Sequence, residues 1–275
     1  MAASGAAART GRRGWTWARM MFRVEALTKR YAGVLAVNQL SYTVAAGEIV
    51  GLIGPNGSGK STSIDCVSGF TRPDEGRWWL EDQELTGRRP EQIYKIGLTR
   101  SFQTVRAYDE LTLEANLLTA AQASDGVGWA GSLIRSRACR AAEAKSRDRA
   151  HRLLEMIGLA AYADAPSAVL SYGQRKLLSI AASMMAKPKL VILDEPVAGV
   201  NPTMVRRIEA AIHELSKEGT TLLVVEHNVD FIMAICDRVI VMEAGLKIAD
   251  GSPDLIHNDE HVLAAYLGKK AASDV

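Results

Sequence analysis

From Phe22 onward the chain alternates apolar and polar positions. FRVEALTKRY (22–31) and LAVNQLSYTV (35–44) carry an apolar side chain at nearly every second residue. A period of two puts those side chains on one face of an extended segment, so both stretches predict strands of an antiparallel sheet. After the turn AAGE the pattern changes. EIVGLIG (48–54) is almost continuously apolar, and it runs through GPNGSGKS (54–61) into STSIDCVSGF, which predicts a helix. RWWLED (77–82) predicts another strand.

A second change follows LTLEANL (111–117). Residues 112–187 hold no convincing strand, are rich in alanine, and show helical spacing such as Leu153, Leu154 and Ile157. This region contains a glycine-rich interruption, ASDGVGWAGS (123–132), and a basic stretch from Arg135 to Arg149. Glu143 and Asp148 interleave with those cations, which predicts a solvated helix face rather than a docking patch. From residue 190 the chain alternates again: strand LVILDE, a helix around 203–217, strand TLLVVEH, a helix over 228–235, strand RVIVMEA, a short strand and terminal helices. Short continuous apolar runs suit a parallel sheet covered on both faces. The predicted fold is an α/β core with an antiparallel β subdomain and a helical insertion.

Composition adds little to this picture except at one end. The 275 residues are 48% hydrophobic and 23% charged, as expected of a globular protein, and no apolar run approaches the length of a membrane helix. Residues 1–20 hold four arginines and no acid; without them the balance of 33 basic and 31 acidic side chains turns slightly negative. The body of the chain therefore lacks the basic footprint of a nucleic-acid binder. No apolar segment follows Arg12-Arg13, which argues against an export signal. Residues 1–21 read as a disordered tail, or as an extension ahead of a true start at Met20 or Met21. Residues 271–275 read as a second short tail. Cys66, Cys139 and Cys236 form neither metal spacing nor a disulfide framework, which fits a reducing compartment.

The chemistry concentrates in a few motifs. GPNGSGKS fits G-x-x-x-x-G-K-[ST], with Gly54, Gly59, Lys60 and Ser61 at the fixed positions and Pro55, Asn56, Gly57 and Ser58 between them. Successive backbone N–H groups of such a loop form a nest for phosphate oxygens, and the helix entered through Lys60, Ser61 and Thr62 turns its positive end toward the same place. Lys60 would reach the β- and γ-phosphates of ATP, and the Ser61 hydroxyl would ligate Mg²⁺. LVILDEP (190–196) supplies the second half of such a site: Asp194 at the carboxyl end of a buried strand to hold Mg²⁺, and Glu195 to polarise an attacking water. Three single residues carry weaker signals alone. Tyr31 in KRYAG is placed to stack on an adenine ring, although a lone aromatic at a strand end is more often packing. Gln103 in TRSFQTV is placed to reach Mg²⁺ or the attacking water, and His227, ending TLLVVEH, to hydrogen-bond the γ-phosphate.

Tyr31, GPNGSGKS, Gln103, LSYGQ (170–174), LVILDEP and EHN (226–228) occur together in the order and approximate spacing of the ATP-binding-cassette family, which the chain resembles over about 22–268. The resemblance implies the ABC ATPase fold, a P-loop NTPase (RecA-like) core spanning 22–270, with the helical subdomain at about 112–187. It also makes Leu170, Ser171, Tyr172, Gly173 and Gln174 a signature loop that caps the nucleotide of a partner subunit in a head-to-tail dimer. Ser171 is well placed to N-cap the helix that follows. TRSFQTVRAYDELTLEANL, AGVNP (198–202), VVEHNVDFIMAICDRVIVME (224–243) and AYLG (265–268) are similar to one branch, the ATPase subunits of bacterial importers for branched-chain and related hydrophobic amino acids. A sister group imports urea or short amides. The branch implies a peripheral subunit on the cytoplasmic face of the cell membrane, with ATP and Mg²⁺. Its implied partners are a second ATPase, two membrane permeases and, indirectly, a periplasmic binding protein. Departures are Asn201, where many cassettes have aspartate, and Ala182, where an arginine is usual. A soluble cassette of translation or DNA repair is the rival reading, set back by the single cassette and short insertion. A GTPase switch lacks its N-K-x-D motif.

Overall fold

The computed structural model describes residues 20–101, 107–122 and 137–267. Gln103, the glycine-rich interruption and both tails, apart from Met20 and Met21, lie outside the described residues.

The two alternating segments form β1 (Met20–Tyr31) and β2 (Val34–Ala45), which pair antiparallel. With β4 (Glu75–Leu80) and the short β5 (Gln83–Glu84) they make a four-stranded sheet in the order β2-β1-β4-β5. β4 starts two residues before its predicted span and also stops two residues early, at Leu80, because Glu81 takes a left-handed turn conformation. The apolar runs become a second sheet in the order β10-β9-β3-β8-β7-β6. Its members are β3 (Ile49–Ile53), β6 (Leu98–Ser101), β7 (Leu190–Asp194), β8 (Thr221–Val225), β9 (Arg238–Glu243) and β10 (Leu246–Gly251). All neighbours pair parallel except β10, which folds back antiparallel on β9.

Every residue of β3, β7 and β8 is buried, and their side chains alternate between two cores. Val50, Leu52, Ile192, Leu223, Val225 and Ile240 face the antiparallel sheet, packing with Phe22, Leu40, Trp78 and the helix α1 (Lys60–Val67). Ile49, Ile53, Val191, Leu193, Leu222 and Val224 face the opposite side. There they meet α6 (Pro202–Lys217) and α7 (Val229–Ile235). The same core continues into α3 (Leu113–Gln122), α4 (Arg137–Met156) and α5 (Tyr172–Met184), which pack through Leu117, Leu154 and Leu177. α2 (Pro90–Ile96) lies beside β6, and α8 (Pro253–His257) and α9 (Glu260–Leu267) are the last elements among the described residues. The basic face of α4 is largely solvated as predicted, with Arg147 pairing to Glu114 and Glu143. Arg149 differs: it donates 2.6 Å to the Met184 carbonyl, meeting the negative end of α5.

Register levels the strand ends. Leu52 and Asp194 both lie opposite Val225 across β8, so the segments leaving β3, β7 and β8 emerge at one edge of the sheet. That carboxyl edge is where open α/β sheets bind ligands.

Candidate active site

The loop leaving β3 is shaped by close backbone approach. A Cβ on Gly54 would lie 2.1 Å from the Met242 carbonyl oxygen, and one on Gly59 2.3 Å from that of Ala36. Only glycine lets the loop sit this tightly against β9 and β2. Gly59 has φ +101° and ends the loop as the cap of α1 without a side-chain hydrogen bond, so the first N–H groups of the helix stay directed at the loop. Lys60 is buried, and its ammonium donates to the loop's own carbonyls at Gly54 (2.7 Å) and Pro55 (3.1 Å). The Ser58 hydroxyl is buried with no hydrogen-bond partner. A buried, unpartnered hydroxyl in a nest of N–H groups fits an anionic ligand that supplies acceptor oxygens. Asn56, Gly57 and Ser61 are exposed around it, and Thr62 is half-buried.

Asp194 stands at the end of β7, 7% exposed. Arg100 on β6 donates 2.8 Å to its carboxylate and 2.6 Å to Asp65 on α1. Burial holds the Asp194 carboxyl above the usual range, opposed by the Arg100 guanidinium. Glu195, next in the chain, has φ +48°, a left-handed conformation costing about 1–2 kcal/mol for a side-chain-bearing residue. Its main chain is held on both sides: the N–H donates to Val225 at 2.8 Å, and the carbonyl accepts from the Lys176 ammonium at 2.7 Å and from the Ala198 N–H at 3.3 Å.

β8 stops at Val225, two residues short of the predicted end, so His227 sits on a loop and is 55% exposed at its side chain. Fully buried Glu226 holds that loop by accepting from the N–H groups of Val197, His227 and Asn228. Tyr31, at the end of β1, is 45% exposed, with the Lys29 ammonium 5.2 Å from its ring centre. Its partner strand β2 is the one that touches the phosphate loop at Ala36.

The LSYGQ segment opens α5. Ser171 caps the helix by accepting from the Gln174 N–H, and the Gln174 side chain accepts from the Ser171 N–H in return, a complete capping box. Ser171 and Tyr172 are exposed, whereas Leu170 and Gly173 are buried. Gly173 has a packing reason: a Cβ there would lie 2.4 Å from the Met204 side chain on α6. Asn201 caps α6 by accepting from the Met204 N–H at 3.0 Å.

The structure thus gathers residues 54–62, Asp194, Glu195 and His227 at one sheet edge, and leaves the outer part of LSYGQ on the surface. Arg100, Lys176 and Glu226 were not among the residues singled out by sequence. Arg100 stands three residues before Gln103, and Glu226 within the EHN triplet; a search for charged residues at the ends of apolar runs finds both.

A family model described as ABC transporter matches residues 37–198. The chain is 39% identical over 250 residues to an Escherichia coli K12 protein named high-affinity branched-chain amino acid transport ATP-binding protein LivG, covering 90% of this chain and 98% of that one. It is 36% identical over 252 residues to the Pseudomonas aeruginosa protein BraF, named in the same terms, covering 91% and 99%. Among solved structures it resembles the ADP conformation of MJ1267, an ATP-binding cassette of an ABC transporter. The TM-score is 0.79 and the identity 32%, over 90% of this chain and 99% of that one.

Proposed function

The chain belongs to the ABC transporter ATP-binding family, and from that premise we propose that it is the ATP-hydrolysing subunit of an importer for branched-chain or other hydrophobic amino acids. The names of the LivG and BraF relatives, matched across nearly their whole lengths, support this cargo class over urea or short amides. The observation that carries the ATPase reading is the shared edge of β3, β7 and β8, which sets the phosphate loop beside an acidic pair and a histidine.

In this reading residues 22–270 act as one ATP-binding domain with 112–187 as its helical subdomain. The backbone of Gly54–Thr62 holds the phosphates, Tyr31 stacks on adenine, and Lys60 exchanges its two carbonyl partners for phosphate oxygens. Mg²⁺, held by Ser61, Asp194 and Gln103, would neutralise phosphate charge. Glu195 takes the proton of the attacking water, with His227 and Gln103 orienting it and the γ-phosphate. Leu170, Ser171, Tyr172, Gly173 and Gln174 act in trans, on the nucleotide of a second ATPase subunit.

No helix among the described residues is long and apolar enough to cross a membrane. Transport then needs permease subunits, with this chain peripheral on the inner face of the membrane. A cleft of about 720 Å³ lined by Phe70, Ile93, Tyr94, Ala107, Leu178 and Ala182 suits a permease segment. Its wall includes Arg100, the residue that holds Asp194.

Glu195→Gln tests the chemical assignment. ATP binding should stay within about twofold, while turnover falls by about 10²-fold or more through loss of the general base. Turnover at the parent's rate would remove Glu195 from that role.

A further inference from the structure

Three of the segments assigned to hydrolysis lie apart in the chain: Glu195 after β7, His227 after β8, and the signature loop at the start of α5. Two buried charged side chains tie these segments together. Lys176, one turn into α5, is 3% exposed; its ammonium donates 2.7 Å to the Glu195 carbonyl and lies 5.7 Å from the centre of the Tyr172 ring. Glu226 is 0% exposed. One of its oxygens accepts from the Val197 N–H at 2.9 Å, and the other from His227 at 3.0 Å and Asn228 at 3.4 Å. Burial pushes the Lys176 ammonium down from its usual range, and attraction from the carboxylates of Glu226, Glu195 and Asp194 opposes that.

Charges taken out of water at such depth are a poor way to stabilise a fold; well-packed apolar side chains of similar volume serve as well or better. What these two charges meet is specific. Each bonds to the main chain of a functional loop, and in a water-poor setting those bonds hold direction strongly. Glu195 has particular need of them, since its left-handed φ persists only where the surroundings over-determine it.

We propose that Lys176 and Glu226 are positioning residues for hydrolysis: Lys176 fastens the backbone of Glu195 to the signature helix of the same chain, and Glu226 fastens the segment after Glu195 to the loop bearing His227. The inference rests on the reading of Glu195 as the general base. Its consequence is a link between two sites. A shift of α5, whose exposed tip faces a partner's nucleotide, moves the Glu195 carbonyl through one short hydrogen bond, so docking of the signature loop is felt at the chain's own hydrolytic carboxylate.

Lys176→Met keeps the length of the side chain and removes the ammonium. Glu226→Gln keeps one acceptor and sets an amide NH₂ against the loop's own N–H groups. Each is measured for ATP affinity, KM, kcat and thermal midpoint, in the assembly in which the parent hydrolyses ATP. The expected result is ATP affinity and KM within about twofold of the parent, with kcat lower by about 10- to 100-fold, the usual effect of misplacing a catalytic group by about 1 Å. Lys176→Arg, which retains a donor, should recover part of kcat. If a single variant does not fold, Lys176→Met combined with Glu226→Gln removes both buried charges and is read in the same way. Parental kcat in the variants overturns the inference, as does a parallel fall of kcat and ATP affinity. A double variant that fails to fold also overturns it, because the charges would then hold the fold rather than the site. A parent chain that hydrolyses no ATP would sink the ATPase reading itself, which distinguishes the two failures.

Discussion

Arg100→Met isolates the side chain on which the acidic half of the site most depends. Methionine keeps the apolar stem and removes the guanidinium that bonds Asp194 and Asp65. The Arg100 side chain is 10% exposed and that of Asp194 9%, so the variant leaves a carboxylate out of water without its guanidinium. Glu195 and Asp65 still repel it. Breaking a buried pair from one side costs about 3–5 kcal/mol. The Asp65 side chain is 37% exposed, and its share of the loss is small. In a chain of this size each kcal/mol moves Tm by about 2–4 °C, so the nucleotide-free variant should melt about 6–20 °C below the parent at about pH 8.

The pH dependence has a definite sign. Burial already raises the Asp194 carboxyl, and losing Arg100 raises it further. A carboxyl raised in the folded state binds a proton more readily folded than unfolded, so stability falls as pH climbs from the unfolded value through the folded one. The deficit relative to the parent is therefore small near about pH 4 and complete at about pH 8. Thermal unfolding of both proteins across that range reads it directly. A loss under about 2 °C at the upper end, or a deficit that grows as pH falls, would refute the reasoning.

Two further predictions concern the nucleotide. Gly59→Ala places a Cβ 2.3 Å from the Ala36 carbonyl oxygen at φ +101°, so ATP affinity should drop by at least about tenfold. Gly57→Ala, at φ +80° with open space around it, should lose far less; equal losses in an ATP titration would mean that close approach is not what the loop requires. Tyr31→Ala should weaken ATP by about tenfold through lost stacking, and Tyr31→Phe should not. Equal affinities for all three proteins would leave Tyr31 as an exposed strand-end residue only.

Much of this was legible along the chain, because its causes are local. Near-alternation in β1 and β2 and unbroken apolar runs in β3, β7 and β8 each follow from which faces are buried. GPNGSGKS is legible because the glycine, lysine and serine positions follow from backbone geometry within eight residues. The cap at Ser171 depends on Gln174 three positions later, and the structure closes that box. Less visible was anything set by contacts between distant segments. Arg100 bonds residues 35 and 94 positions away, and Lys176 meets a carbonyl 19 residues on, so no period records either. Gly173 looked like part of an anion loop, yet its close neighbour is Met204 on another helix. His227 looked like a strand end, but the Glu226 carboxylate takes up the N–H groups of His227 and Asn228, so the ladder stops short of them.

The central claim is that LSYGQ completes another subunit's site and leaves the phosphate loop of its own chain unaided. Ser171→Arg tests it. Ser171 is exposed and caps α5, so the substitution costs about 1 kcal/mol of capping and touches nothing between Gly54 and Thr62. ATP binding by the isolated chain should stay within about twofold of the parent while hydrolysis in the assembled pair is lost, because a bulky cation stands where the partner's γ-phosphate would dock. An isolated chain that loses its ATP, or an assembled pair that hydrolyses it at the parent's rate, would contradict the claim.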